Sequence, residues 1–362
     1  MPTLPLWIKS LQPSLDSNLP PRPGGLFFIM RRFIPLVLLV SCSGTSTQPP
    51  VPPSSTKAIA VILQESRQIA LIDPETGALW SSIPTGQGNI PNHLIQQGDT
   101  LMVINSGGFT GSASVSLISL SQSQLIDEIP FPSWSNPLEG ILIDSLLVMS
   151  DFGKSYSEHL TVLNLNSGGV DTVPLAPRPI NISHGILATA NGMDENYNYP
   201  YPSKVFLLDG NLQKVDSAVL QSGMGGLDMA GDYIMVVSSG IPGQTGSILY
   251  RLTFPQLEKV DSLPIEDNIY SIAFSNDGTG LLGNFFGKLY LVDTGMRILD
   301  TIRVGSTLNC IAEDGGTFYV SINGYSGSSP NYLLIVNGNS VDSIQISPSD
   351  KGIYCAFPVS IP

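Results

Sequence analysis

Two histidines and a glutamate carry the residue types best suited to chemistry. His93, Glu139 and His184 follow one another at intervals of 46 and 45 residues, in a chain with only 3 histidines. Cys310 and Cys355 repeat that interval, 45 residues apart. Imidazole, carboxylate and thiolate are donors that zinc, iron or copper accept. Taken around a ring, the order Cys310, Cys355, His93, Glu139, His184 puts such donors on five consecutive repeats, and His93, Glu139 and His184 form the candidate metal set. No short spacing such as C-x-x-C accompanies them, and each residue reads equally well as a buried thiol or a solvated polar group. No cofactor is therefore expected; a divalent metal is the one these donors would suit.

The elements that must position these residues repeat with the same period. Short apolar runs end in a small polar residue at Asp73, Ser119, Asn164, Asp209, Thr253, Asp293 and Asn337, with spacings of 46, 45, 45, 44, 40 and 44 residues. A period near 44 built from strands and turns indicates an all-β, seven-bladed β-propeller with four-stranded antiparallel blades. Six blades parse as continuous segments, at 93–131, 139–173, 184–219, 226–265, 271–304 and 310–346. The seventh is split: strands at 58–63, 68–73 and 78–83 are completed by a C-terminal strand at 354–357, so that tail and head close the ring.

In this frame the start of each innermost strand faces the central channel. One column reads His93, Glu139, His184, Gly226, Ser271, Cys310, Cys355; the residues just before them include Asn92, Asn309 and Tyr354. Strand alternation turns one column to the channel and the other to the blade interface. The ends of the second strands add Asn105 and Asp151, which completes the candidate binding set at the channel mouth. Long loops surround it, and the segment 191–203 holds Tyr197, Tyr199 and Tyr201; Tyr325 lies in the loop 323–331. Tyr-, Asn- and Gly-rich loops suit recognition. Because inner strands of neighbouring blades usually stand too far apart to bridge, Cys310 and Cys355 are expected as two buried free thiols.

Asp127, Asp171, Asp216, Asp261, Asp300 and Asp342 recur on the outermost strands. At the rim they are too far apart to share an ion. Their expected role is to protect the sheet edge from pairing with another chain.

The N-terminal segment carries a different message. Arg31 and Arg32 precede an apolar run at 33–40, whose 8 residues fall short of a membrane span of roughly 20. Leu39-Val40-Ser41-Cys42 resembles the lipobox of bacterial lipoproteins, which implies acylation of Cys42 as the new N-terminus. The absence of Asp at Ser43 implies, by the same resemblance, sorting to the outer membrane. Residues 1–29 precede a complete leader and are read as an upstream extension, with translation expected to begin at Met30; 30–42 is the signal, 43–56 a Ser/Thr/Pro-rich tether and 57–362 the propeller. The leader to Cys42 holds Lys9, Arg22, Arg31 and Arg32 against Asp16, so the remainder carries 12 basic and 28 acidic residues. With no basic stripe, that balance excludes nucleic acid as a partner.

Phe318-Tyr319-Val320-Ser321-Ile322-Asn323, followed by Leu333-Leu334-Ile335-Val336-Asn337, resembles the YVTN repeat of bacterial surface and periplasmic propellers. Gly283 departs from that pattern inside a strand. The resemblance implies a fold and a cell-envelope location, not an activity. No nucleophile elbow, H-E-x-x-H, phosphate loop or dinucleotide fingerprint is present. The function expected first is therefore a lipid-anchored, monomeric binding module for an envelope protein, peptide or glycan. The alternative is a metal-dependent hydrolase or oxidoreductase at the channel mouth, in which Glu139, Asn105 and Asp151 would play the parts seen in gluconolactonase-type propellers. A purely structural envelope protein is the third.

Overall fold

The computed structural model describes residues 57–362, apart from 89, 109, 155, 177, 185–186, 242, 305–306, 324–330, 339 and 347–352. Cys42, the leader and the tether lie outside the described residues, as does Tyr325.

Twenty-eight strands form seven four-stranded antiparallel sheets, and no helix occurs among the described residues. Blade 1 contains β1 (Lys57–Leu63), β2 (Gln68–Ile72) and β3 (Leu79–Pro84); blade 2 contains β4 (Pro91–Gln97), β5 (Thr100–Asn105), β6 (Ser114–Ser119) and β7 (Gln124–Pro130). Blade 3 follows with β8 (Pro137–Ile143), β9 (Leu146–Asp151), β10 (His159–Asn164) and β11 (Val170–Pro174). Blade 4 has β12 (Pro179–Ser183), β13 (Leu187–Ala190), β14 (Lys204–Leu208) and β15 (Lys214–Val219). Blade 5 has β16 (Gly226–Ala230), β17 (Tyr233–Ser238), β18 (Ser247–Thr253) and β19 (Lys259–Ile265). Blade 6 has β20 (Ile269–Phe274), β21 (Thr279–Asn284), β22 (Lys288–Asp293) and β23 (Ile298–Arg303). Blade 7 has β24 (Thr307–Asp314), β25 (Thr317–Asn323), β26 (Asn331–Asn337) and β27 (Ser340–Ile346). The last strand, β28 (Ile353–Ser360), returns to blade 1 and pairs with β1, Ile59 opposite Pro358 and Val61 opposite Ala356. That pairing closes the ring.

The polar anchors explain the period. Each ends or directly follows the third strand of its blade, and at six of them the side chain accepts from the turn into the fourth. Asp73 Oδ1 accepts from the backbone N–H of Glu75 and Thr76 at 2.8 and 2.9 Å, and Asp209 Oδ1 from Asn211 and Gln213 at 2.9 and 2.8 Å. Asn164 does the same for Asn166 and Ser167. Asp, Asn and Ser supply such turn caps because a short side-chain acceptor reaches the backbone two residues on.

The apolar runs assemble seven cores among the described residues, one at each blade–blade seam. Met102 and Ile104 meet Leu147 and Met149 between blades 2 and 3; Val148 and Leu160 meet Ala188 and Phe206 between blades 3 and 4. Middle strands are therefore apolar on both faces, as in β5 and β17, whereas the outermost β15 and β19 are mostly exposed. Gly283 serves this stacking: a Cβ there would lie 2.7 Å from Leu308 of the next blade. Its departure from the repeat pattern marks a close approach of blades 6 and 7.

The outer aspartates share one local contact. Asp127, Asp171, Asp216, Asp261 and Asp300 each accept a hydrogen bond from the next residue's N–H at 2.7–2.8 Å. An edge donor is thereby occupied by a charged side chain.

Candidate functional site

A bulge shapes the channel mouth. In six blades the innermost strand carries one extra residue near its start, seen as register shifts at Pro91/His93, Pro137/Gly140, Pro179/Ile182, Ile269/Ser271, Leu308/Cys310 and opposite Val61/Leu63. A bulge bends its strand and re-aims side chains. Register then fixes one belt position per blade: Cys355, His93, Glu139, Asn181, Gly226, Ser271 and Cys310.

Belt side chains reach the next blade. Asn181 Nδ2 donates to Glu139 Oε2 at 3.0 Å, Ser271 Oγ accepts from Ile311 N–H at 2.9 Å, and His93 bonds the Gly140 backbone. Asn309, one residue before the belt, donates from Nδ2 to the Ile353 carbonyl at 2.5 Å. Asn92 is buried and accepts from Gln64 Nε2 at 3.1 Å.

Two sequence expectations need correction. His184 does not join His93 and Glu139. The innermost strand of blade 4 is β12, which ends at Ser183, and His184 sits in the turn at the opposite end of the blade with φ of 48°. There its Nε2 lies 2.8 Å from Asp228 Oδ1 on blade 5. Asn181 holds the belt position instead, and among the described residues no group of three His, Cys, Asp or Glu side chains is placed to hold a metal ion. The cysteines are also not free thiols. Cys310 and Cys355 are bonded as a disulfide with Cα atoms 5.1 Å apart, within bridging reach, because the bulged starts of β24 and β28 converge at the axis.

The electrostatics single out Glu139. Its side chain is half-buried. Burial raises its pKa to about 7, against the opposing hydrogen bond from Asn181. Burial holds His93 down at about 4, with the Gly140 bond opposing, so this imidazole is neutral near pH 7. Burial, and then the Glu139 carboxylate, push the Tyr354 phenol up to about 12. Tyr354 is on blade 1 and Glu139 on blade 3.

Asn105 and Asp151, the equivalent ends of the second strands, turn away from this centre. Asp151 is fully buried and accepts from Ser135 Oγ, Asn136 N–H, Gly153 N–H and Thr161 Oγ1 at 2.6–2.9 Å. Asn105 Nδ2 donates to Ser114 and Ser116. Both sit inside polar networks that fasten the top loops, so the three-residue hydrolase set is not assembled around Glu139.

Arg178 escaped the sequence reading. It is fully buried, and its guanidinium donates to the Phe152 and Asp194 carbonyls at 3.1 and 3.3 Å. It lies 4.2 Å from the Phe152 ring centroid and 4.7 Å from that of Tyr197. Its own N–H donates to Ser157, and its carbonyl accepts from Asn191. One residue thus ties the top loop of blade 3 to that of blade 4. Tyr197 is committed to this cage; Tyr199 is drawn inward, its phenol raised to about 12 by burial. Tyr201 stays exposed. The Pro-flanked position of Arg178 was the only sequence signal available.

Exposed aromatic side chains are confined to the same face. Among the described residues they are Trp134, Tyr201, Tyr270 and Phe286, all on top connections or at the start of an innermost strand. A surface hollow of about 400 Å³ lies between top connections of blades 1 and 2, beside Arg67 and Gly107, and one of about 370 Å³ lies beside Gln96 and Pro362; no belt residue lines either. We place the candidate site by its chemistry, at the belt.

No family model matches this sequence, and no curated protein does. Solved structures are similar in fold. Apo AztD from Citrobacter koseri matches with a TM-score of 0.53 at 14% identity, over 84% of this chain and 98% of that one. The computationally designed Ika8 protein matches at 0.52 and 13%, over 80% of each chain. The dihydro-heme d1 dehydrogenase NirN in complex with DHE matches at 0.51 and 10%, over 88% and 78%. At such identities the likeness speaks for the β-propeller fold alone.

Proposed function

We propose that this chain is a lipid-anchored β-propeller of the cell envelope, of the YVTN surface type, that binds a protein, peptide or glycan through its top face and channel mouth. The observation that carries this reading is the one-sided placement of Trp134, Tyr201, Tyr270 and Phe286. Exposed aromatics supply large amphipathic contact area at low entropic cost. Arg178 holds two of the top loops in one arrangement before any partner arrives, which reduces the ordering cost of binding. The leader with Cys42 supports the anchor, and the Cys310–Cys355 disulfide suits an oxidising compartment.

The test is site-specific photocrosslinking in the cells of origin. Probes at 134, 201 and 286 should label one shared partner, and probes at 122 and 211, in bottom turns, should not. Equal labelling from both faces, or none from either, contradicts the proposal. Fatty-acid labelling lost in Cys42→Ala tests the anchor. A second reading, hydrolysis at the channel mouth, draws support from Glu139, whose pKa near 7 suits a general base. Turnover of a lactone panel that vanishes in Glu139→Gln would establish it.

A further inference from the structure

Seven outer strands form the rim, one per blade, and six of them have their free edges blunted. In β3, β7, β15, β19 and β23 a bulge leaves one residue outside the pairing, namely Trp80, Ile126, Val215, Val260 and Leu299. A bulge twists an edge away from an incoming strand. The sixth, β11, is regular but short. It has 5 residues, ends at Pro174, and has the Thr172 N–H taken by Asp171 at 2.7 Å.

Among the described residues β27 alone has none of these devices. Its 7 residues pair with β26 without a break, from Ser340 opposite Asn337 to Ile346 opposite Asn331, and none is proline. Ser343, opposite Leu334, holds the place that Thr172 holds opposite Thr161. Asp342 does not cap it; its Oδ2 accepts from Ser340 Oγ at 3.4 Å instead. By strand alternation the backbone groups of Val341, Ser343 and Gln345 face the same way, and all three residues are exposed. Such an edge is a template for one more strand.

We propose that β27 accepts an extended, basic segment of a partner protein as a fifth strand of blade 7. This goes beyond the top-face reading and does not depend on it. The backbone supplies the affinity, and the side chains set the choice of partner. Asp342 is the one charged residue of β27. A lysine or arginine directly opposite it pairs favourably, whereas an acid there is repelled. The charge of the whole chain points the same way. Beyond the leader it carries 28 acidic and 12 basic residues, which disfavours a second copy at this edge and favours a basic strand.

The probe is acetyl-Thr-Val-Thr-Lys-Val-Thr-amide, added to the full chain, with the same peptide carrying glutamate for lysine as the comparison. Amide hydrogen exchange, read by mass spectrometry, should slow about tenfold across residues 340–346 and stay unchanged in β15 and β19. The lysine peptide should bind about fivefold more tightly than the glutamate peptide, and Asp342→Lys should reverse that order. Ser343→Pro, which removes an outward donor and leaves the ladder to β26 in place, should abolish the protection. Equal protection of the bulged edges, no protection of any edge, or an unchanged preference in Asp342→Lys overturns the proposal. So does a dimer in sedimentation that Ser343→Pro abolishes, because the edge then belongs to a second copy.

Discussion

The seam between blades 7 and 1 and the seam between blades 3 and 4 place equivalent belt residues side by side, and they solve the contact differently. At the first, Cys310 and Cys355 are joined covalently. At the second, Glu139 and Asn181 meet through one hydrogen bond, on a side chain that titrates near neutrality. The backbone context is the same, a bulged start of the innermost strand. The covalent seam lies where the chain ends meet and fraying would begin. The polar seam lies where the chain is continuous on both sides, and there the belt can carry an unneutralised acid. Closure and chemistry are thus assigned to different parts of one ring.

The largest effect should come at the covalent seam. The disulfide spans 45 residues, and loop-closure entropy for such a span gives up to about 4 kcal/mol. Cys310→Ala with Cys355→Ala should lower the guanidinium midpoint by a corresponding amount. Asn181→Ala at the other seam should cost only about 1 kcal/mol, one hydrogen bond. Equal losses would dissolve the contrast. Next comes Arg178→Met, which leaves two carbonyls without their buried donor. A loss of about 3 kcal/mol is expected, with rapid proteolysis near residues 152–157 and 191–201.

The pH response sharpens the comparison further. Glu139 has a folded pKa near 7, above its ordinary 4.5, so the folded state holds the extra proton. Its contribution is full below pH 4.5 and is lost as pH rises through 7. His93 runs the other way: depressed from 6.5 to about 4, it contributes above pH 6.5 and is lost as pH falls through 4. The two slopes oppose one another between pH 4.5 and 6.5. Urea melts of Glu139→Gln should show a gain of about 1–3 kcal/mol over wild type at pH 8 and little change at pH 4. The smallest effect belongs to the rim. Asp216→Asn should change stability by under about 0.5 kcal/mol, while sedimentation at high concentration shows more self-association.

Much of this was legible in the chain. The turn-capping anchors betrayed the period because a cap requires Asp, Asn, Ser or Thr at a fixed place in every blade, as Asp73 and Asp209 show. The split blade followed from needing one more strand, expected at 354–357 and found at Ile353–Ser360. Blade 4 was misread because β12 is only five residues, so Asn181, which holds the belt position, was passed over for the histidine just beyond the strand's end. His184 adopts a left-handed turn conformation that sequence signals only through glycine or asparagine. Glu139 could be chosen from its column, but its altered acidity could not, since that arises from burial in the folded ring. The disulfide depended on how closely two bulged strands approach, a distance that no spacing encodes.

The most direct test is a carboxyl titration by NMR. Glutamate 13Cδ-labelled protein, with Glu139→Gln as the assignment control, should show one resonance with a midpoint at about 7. A midpoint at the ordinary glutamate value of 4.5 would mean that the channel mouth holds no enclosed, unneutralised acid, and the account of the top face as a site centred on Glu139 would be contradicted.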